Sequence, residues 1–334
     1  MASSTLPRVV ATRLLPGTGL DRLAAETDLW LWPERRPLPR PLFLEQVATA
    51  AGLLRTGHEA IDAALLDTAP VLRVVSTFSV GLDGIDLAEC TRRGVLVGHT
   101  PDVLTETTAD TAFGLLLAAA RRFKEGIDLV RRGEWQYNYP DLLLGEEVHS
   151  STIGIVGLGR IGSAVARRAA GFGMRILYHD HRRRPEAEAR LGATFRATLA
   201  ELLADSDHVV LTVPLTPETH HLIGAEALAA MKPTATLVNA CRGPVVDPAA
   251  LAAALRARTI AAAALDVTEP EPLPADHPLV GLPNCTIIPH LGSASRATRI
   301  AMADLAVANL LAGLAGRPMP ACANPEAAAF RPGP

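Results

Sequence analysis

Short runs of apolar residues alternate along this chain with stretches in which apolar positions recur every three or four residues. Runs at 8–15, 27–32, 52–56, 72–78 and 95–98 predict strands, and the patterns near 18–25, 41–50 and 61–69 predict helices between them. Such alternation predicts a parallel sheet with helices on both faces. The stretch from Glu106 to about Arg132 opens on polar residues, has a continuous apolar centre and predicts one long helix. A second series follows, with strands near 152–157, 174–180, 208–213, 235–240, 262–267 and 285–289. The last helix is predicted from about Ser295 to Leu314, where Ile300, Ala303, Val307, Leu310 and Leu314 make one apolar face. After Arg317 the chain is rich in Pro and Ala, which predicts a tail with little fold of its own. The fold class is therefore α/β, with two doubly wound parallel-sheet units.

The length of 334 residues exceeds what one compact core usually holds, in keeping with two units. A net charge of −3 gives no electrostatic reason to expect nucleic acid or an anionic membrane as partner. The longest uncharged apolar run, Thr111 to Ala120, is too short to span a bilayer, and the N-terminal residues lack the pattern of a signal peptide. Cys90, Cys241, Cys285 and Cys322 lie far apart, outside any C-x-x-C or Cys/His spacing, as expected of reduced thiols. These features predict a cytoplasmic protein with a small-molecule ligand. His220 and His221 read as a helix start rather than a metal site, and no metal is expected.

Two regions carry chemistry. Gly157, Gly159 and Gly162 form G-x-G-x-x-G between an apolar strand and an amphipathic helix, the context in which the motif binds a dinucleotide. Gly157 permits the tight turn, Gly159 the approach of a pyrophosphate, and Gly162 close helix–strand packing. Asp180 ends the next strand, where an acid accepts hydrogen bonds from the adenosine ribose and favours NAD. Arg182, Arg183 and Arg184 follow at once, and a guanidinium there binds a 2′-phosphate, so NADP stays open.

The second region is in three pieces. Arg242 follows the apolar strand at 235–240; Glu269 and Glu271 follow the strand at 262–267; His290 follows the strand at 285–289. Strand carboxyl ends are where open α/β sheets bind ligands. Arg holds a 2-oxo acid by charge and paired donors, and His supplies a proton to a developing alkoxide near neutral pH. Singly each has a plain structural explanation; together, behind a dinucleotide loop, they predict hydride transfer to a ketone.

The chain resembles the D-isomer-specific 2-hydroxyacid dehydrogenase family, and within it the glyoxylate/hydroxypyruvate reductases. The resemblance rests on Ser76–Asp83 (Ser-Thr-Phe-Ser-Val-Gly-Leu-Asp), Thr100–Ala109, the glycine loop, Cys241–Asp247, Leu265–Pro274, Pro289–Ala294 and Asn309–Gly313. It implies two Rossmann-like domains, with a cofactor domain at 103–290 inserted into a substrate domain at 1–102 and 291–320, and a tail at 321–334. By resemblance, Arg242 binds the substrate carboxylate and carbonyl, His290 is the general acid, and Glu271 pairs with it. Backbone N–H groups near Val80 and Gly81 cradle the carboxylate, with Ser293 beside the substrate. Thr108, Arg160, Ile161 and Pro214 line the dinucleotide, Asp266 holds the nicotinamide carboxamide, the interdomain cleft closes on substrate, and the protein is a homodimer paired through its cofactor domains.

The chain departs from the family at residues 53–58. There Gly57 replaces an apolar side chain directed at substrate, and Arg55 and His58 are expected to point to solvent. The aromatic segment 135–139 also departs. A phosphite-oxidising relative with the same Arg/Glu/His set is an alternative, opposed by Val80 where that branch places Lys; an NAD-sensing corepressor or scaffold is the alternative of another class.

Overall fold

In the computed structural model, residues 6–57 and 59–330 are described. They form two compact units. One combines the chain up to Leu104 with the chain from Ala294, and the other is Thr105–Ser293, so the second is inserted in the sequence of the first.

The first unit carries β1 (Arg8–Ala11), α1 (Gly19–Glu26), β2 (Asp28–Leu31), α2 (Arg40–Val47), β3 (Gly52–Arg55), α3 (Ala63–Thr68), β4 (Val74–Thr77), α4 (Leu87–Arg92) and β5 (Leu96–Gly98). Its five parallel strands run in the order β2-β1-β3-β4-β5. Alternate residues feed opposite faces, as strand geometry requires. Val10, Leu53, Val75 and Val97 enter one cluster with Phe43 and Leu65. Val9, Leu54 and Val74 enter another with Val307, Leu310 and Leu314 of α12 (Arg296–Leu314), the last helix. By length and composition α12 would cross a membrane, but it is a core helix here, which accounts for its apolar character.

The second unit carries α5 (Thr105–Ala120), α6 (Phe123–Arg131), β6 (Thr152–Val156), α7 (Arg160–Gly171), β7 (Arg175–His179), α8 (Pro185–Leu191), β8 (Thr194–Phe195), α9 (Leu199–Asp205), β9 (His208–Leu211), α10 (Ala225–Ala229), β10 (Thr236–Asn239), α11 (Pro248–Arg256), β11 (Ala262–Leu265) and β12 (Cys285–Ile287). Its seven strands are parallel in the order β12-β11-β10-β9-β6-β7-β8. The order reverses between β6 and β9, and a crevice at such a switch point is where doubly wound sheets bind nucleotides. The strands are apolar on both faces because helices cover both, which is why they read as unbroken apolar runs.

Two expectations are corrected. The helix predicted over 106–132 is two helices, because Arg122 adopts a left-handed backbone (φ 55°) and its guanidinium donates to both oxygens of Glu125 at 2.7 Å. The continuous apolar run ends at Ala120, and α6 has no buried residue. The segment after Arg317 is also structured as far as it is described. Ala323 N–H donates to Val97 O at 2.8 Å, Cys322 bridges Gly98 antiparallel, and a 3-10 turn (Pro325–Phe330) follows. Its anchor is fully buried Asn324, which accepts from Val97 N at 2.7 Å and donates to Val95 O and Thr91 Oγ1 at 3.0 Å.

Asn324→Ala strands the Val97 N–H and Val95 carbonyl, a loss of about 2 kcal/mol. A scanning-fluorimetry midpoint about 4–8 °C lower is expected for this unit; an unchanged midpoint would show that the terminal segment adds nothing to stability.

Candidate active site

β6 leads straight into the glycine loop. Gly157 sits at φ +93°, and a Cβ on it would meet Val213 Cγ1 at 2.8 Å. A Cβ on Gly162 would lie 2.1 Å from Gly157 O, so only glycine lets α7 approach β6 this closely. A Cβ on Gly159 would meet nothing within 4 Å, which leaves open space over the first turn of α7. The N–H groups of that first turn, beside open space, fit a dinucleotide pyrophosphate. Arg160 and Pro214 are exposed, Ile161 is half-buried, and Thr108 is buried on α5.

Asp180, predicted to face the ribose, is already engaged. Its Oδ2 accepts from Leu158 N at 3.0 Å and Arg184 Nε at 2.9 Å, and His181 Nδ1 lies 2.5 Å from Oδ1. Burial alone would raise its pKa, but Arg184, the Leu158 N–H and His181 outweigh it and hold the carboxyl below its ordinary value. The arginine run is less free than a solvated loop. Arg183 grips Glu188 at 2.8 and 2.9 Å, and Glu188 in turn accepts from Tyr178 Oη. Arg182 alone of the three is exposed with no ion pair or side-chain hydrogen bond among the described residues.

Arg242, Glu271 and His290 follow the carboxyl ends of β10, β11 and β12, which are adjacent and in register (Asn239 opposite Leu265, Leu265 opposite Ile287). Asn239 shapes the first turn: its Oδ1 accepts from Cys241 N at 3.1 Å and its Nδ2 donates to Arg242 O at 2.9 Å. Half-buried Arg242 donates from Nη1 to Cys241 O at 2.7 Å. The next residue packs so tightly that a Cβ on Gly243 would lie 1.9 Å from Thr268 O, which ties the Arg242 turn to the acidic loop.

His290 has a left-handed backbone (φ 53°), and its N–H donates to Asp266 O at 2.8 Å. Its Nδ1 lies 2.6 Å from Glu271 Oε1, the partner expected. Asp266 accepts from Leu291 N at 2.5 Å and Gly292 N at 2.9 Å. Burial raises the Asp266 pKa, opposed by those N–H groups and by His290. Ser293 is buried next along the turn. Glu269, two residues before Glu271, faces away to His221 at 2.8 Å.

The first unit holds the other predicted substrate residues. Val80 and Gly81 are half-buried after β4. Gly81 O accepts from Ser79 Oγ at 2.8 Å, and Val80 O lies 3.2 Å from His99 Nδ1. Their carbonyls are thus anchored, and their N–H groups have no acceptor among the described residues. Sequence reasoning missed His99; the only signal was its place just past the end of β5. Arg55 is a correction: predicted to point to solvent, it is 1% exposed and donates to Gly84 O at 3.2 Å and Asp83 O at 3.5 Å. His58 lies outside the described residues.

A dinucleotide turn at a switch point, with an Arg and a Glu–His pair on neighbouring strand ends, defines a nicotinamide-nucleotide dehydrogenase. The family model "D-isomer specific 2-hydroxyacid dehydrogenase, NAD binding domain" matches residues 113–292. A glyoxylate reductase of Thermococcus gammatolerans is 49% identical over 324 residues, 96% of each chain. A Thermus thermophilus structure superposes with TM-score 0.89 at 48% identity, covering 95% of this chain and 99% of that one. An NADPH-dependent glyoxylate/hydroxypyruvate reductase from Sinorhizobium meliloti, in complex with NADP and malonate, superposes at TM-score 0.85 and 34% identity over 99% of this chain and 100% of that one. The chain belongs to the D-isomer-specific 2-hydroxyacid dehydrogenase family.

His290→Ala removes the side chain that Glu271 holds at 2.6 Å. A kcat at least ~10²-fold lower is expected, with NADH affinity within a few-fold of wild type. Turnover near wild type would take His290 out of the chemistry.

Proposed function

We propose that the enzyme reduces a small 2-oxo acid of the glyoxylate or hydroxypyruvate type to its D-2-hydroxy acid. The observation that carries this reading is the Glu271–His290 pair beside the strand bearing Arg242. The curated relatives named glyoxylate reductase and glyoxylate/hydroxypyruvate reductase B support it over 96% of the chain. Bound NADH or NADPH supplies the hydride. Arg242 holds the substrate carboxylate and carbonyl by charge-assisted hydrogen bonds. His290, its Nδ1 on Glu271, presents Nε2 to the carbonyl oxygen. As hydride reaches the carbonyl carbon, Nε2 gives its proton to that oxygen. Glu271 stabilises the imidazolium before transfer. Oxidation of the hydroxy acid reverses each step, with His290 as base.

For the cofactor, the proposal is that Asp180 favours NAD, while exposed Arg182 takes the 2′-phosphate of NADP. Bound Arg184 already neutralises part of the Asp180 charge, which supports use of both nucleotides. The enzyme is proposed to be cytoplasmic, where its four cysteines, none in a disulfide, stay reduced. It is proposed to be a homodimer: α6 exposes Phe123, Ile127 and Val130 on one face, followed by exposed Trp135, Tyr139 and Leu144. An apolar surface of that extent marks an interface.

Initial rates with glyoxylate, hydroxypyruvate, pyruvate and a bulkier 2-oxo acid, each with NADH and NADPH, test the reaction. Fast turnover of the two small substrates is expected, and silence across the panel rejects it in favour of phosphite oxidation or a binding role. Arg182→Ala should raise KM for NADPH at least about fivefold and leave NADH unchanged, since a surface charge contact is worth about 1 kcal/mol; equal effects on both would remove Arg182 from cofactor choice. Light scattering should give twice the 35.2 kDa chain mass, and Ile127→Asp should halve it; a dimer undisturbed by that charge would place the interface elsewhere.

A further inference from the structure

His220 and His221 are adjacent in sequence, and Glu269 lies 48 positions beyond His221. The fold brings them together: one ligand atom from each lies within 4.8 Å of the others. The two imidazole rings stack with centroids 4.0 Å apart and planes at 27°. His221 is held firmly. Its backbone is left-handed (φ 50°), its N–H donates to Pro244 O at 2.7 Å, and Ile223 and Asp247 extend that pairing along the segment after Arg242. Glu269 belongs to the loop that Gly243 packs against and that ends in Glu271. His220 is exposed, and its side chain has no hydrogen-bond partner among the described residues, so rotation of this one side chain brings a second nitrogen to the His221–Glu269 pair.

Two imidazoles and one carboxylate are the donor set of zinc sites that keep a fourth, water-filled position. Tetrahedral ligands at ~2.0–2.1 Å from zinc stand roughly 3.3 Å apart, closer than the present spread, and the exposed His220 supplies that movement. Imidazole selects zinc, copper or nickel over magnesium or calcium, which prefer oxygen donors.

We propose that His220, His221 and Glu269 form a binding site for a divalent transition metal of the zinc class, and that the bound ion clamps the loops carrying Arg242 and Glu271 and slows turnover. The binding goes beyond the reductase reading and is measured without it. Full-length enzyme, stripped with a chelator, is titrated calorimetrically with zinc chloride and separately with magnesium chloride. One zinc per chain at micromolar Kd is expected, with no magnesium heat. His220→Ala, on an exposed side chain outside the catalytic machinery, should keep the metal-free turnover and weaken zinc at least tenfold; Glu269→Gln should weaken it similarly. Equal zinc affinity in wild type and His220→Ala, or no saturable binding below about 100 µM, overturns the site. Saturating zinc should lower wild-type kcat at least twofold and leave His220→Ala unaffected at the same concentration. Inhibition of both alike assigns the inhibition to another site, and binding without any change in kcat overturns the clamp; both leave the reductase reading intact.

Discussion

The geometry of the turn that carries His290 depends on one buried carboxylate. Asp266 spreads its oxygens over two successive N–H groups, Leu291 and Gly292, while its own carbonyl accepts from His290 N. Three bonds to one residue hold His290 in a backbone conformation that a non-glycine side chain rarely adopts. Left-handed backbone costs on the order of 1 kcal/mol or more, and the turn persists because Asp266 over-determines it. Asp266 is 2% exposed, and its desolvation is opposed by those N–H donors and by His290. A Cβ on Gly292 would approach Asp266 Oδ2 to 2.7 Å, so the glycine is part of the same device. Each Asp266 oxygen keeps a second lone pair beyond the one the turn uses.

The same economy governs the neighbouring turns. Backbone meets backbone at Gly243 and Thr268, and at Gly162 and Gly157. Side chains are excluded at these points, which lets three strand ends deliver Arg242, Glu271 and His290 from positions 29 and 19 residues apart. The order of the strands fixes where these residues emerge, and the glycines fix how closely the loops carrying them lie.

The strands were legible because helices bury both faces and leave short unbroken apolar runs. β8, two residues long, and the short α4 gave no such pattern. The break at Arg122 was hidden because the helical periodicity of 106–120 and 123–131 continues across it in sequence. The folded terminal segment was hidden because backbone pairing and one buried Asn324 hold it, without a periodic apolar face. Of the site, the glycine loop and the Arg242, Glu271 and His290 motifs stood out, since each follows an apolar strand. The contacts of His99 with Val80, and of His221 with Glu269, join segments far apart in sequence, and no local pattern encodes them.

Arg55 shows how such a miss arises and what it does to the substrate loop. A charged residue ending a strand reads as solvent-facing, because an isolated buried guanidinium is costly. Here two glycines with positive φ, Gly57 and Gly84, border it. A Cβ on Gly57 would lie 3.9 Å from Nη2, and one on Gly84 3.8 Å from both terminal nitrogens. Burial pulls the Arg55 pKa down, and nearby Glu59 and Asp83 pull it back. Carbonyls of Asp83 and Gly84 serve as its acceptors, which pins the segment following Val80 and Gly81 from beneath. Gly57 has φ +108°, so any other side chain at 57 would demand a strained backbone, and its Cβ would sit in ordinary contact with the guanidinium.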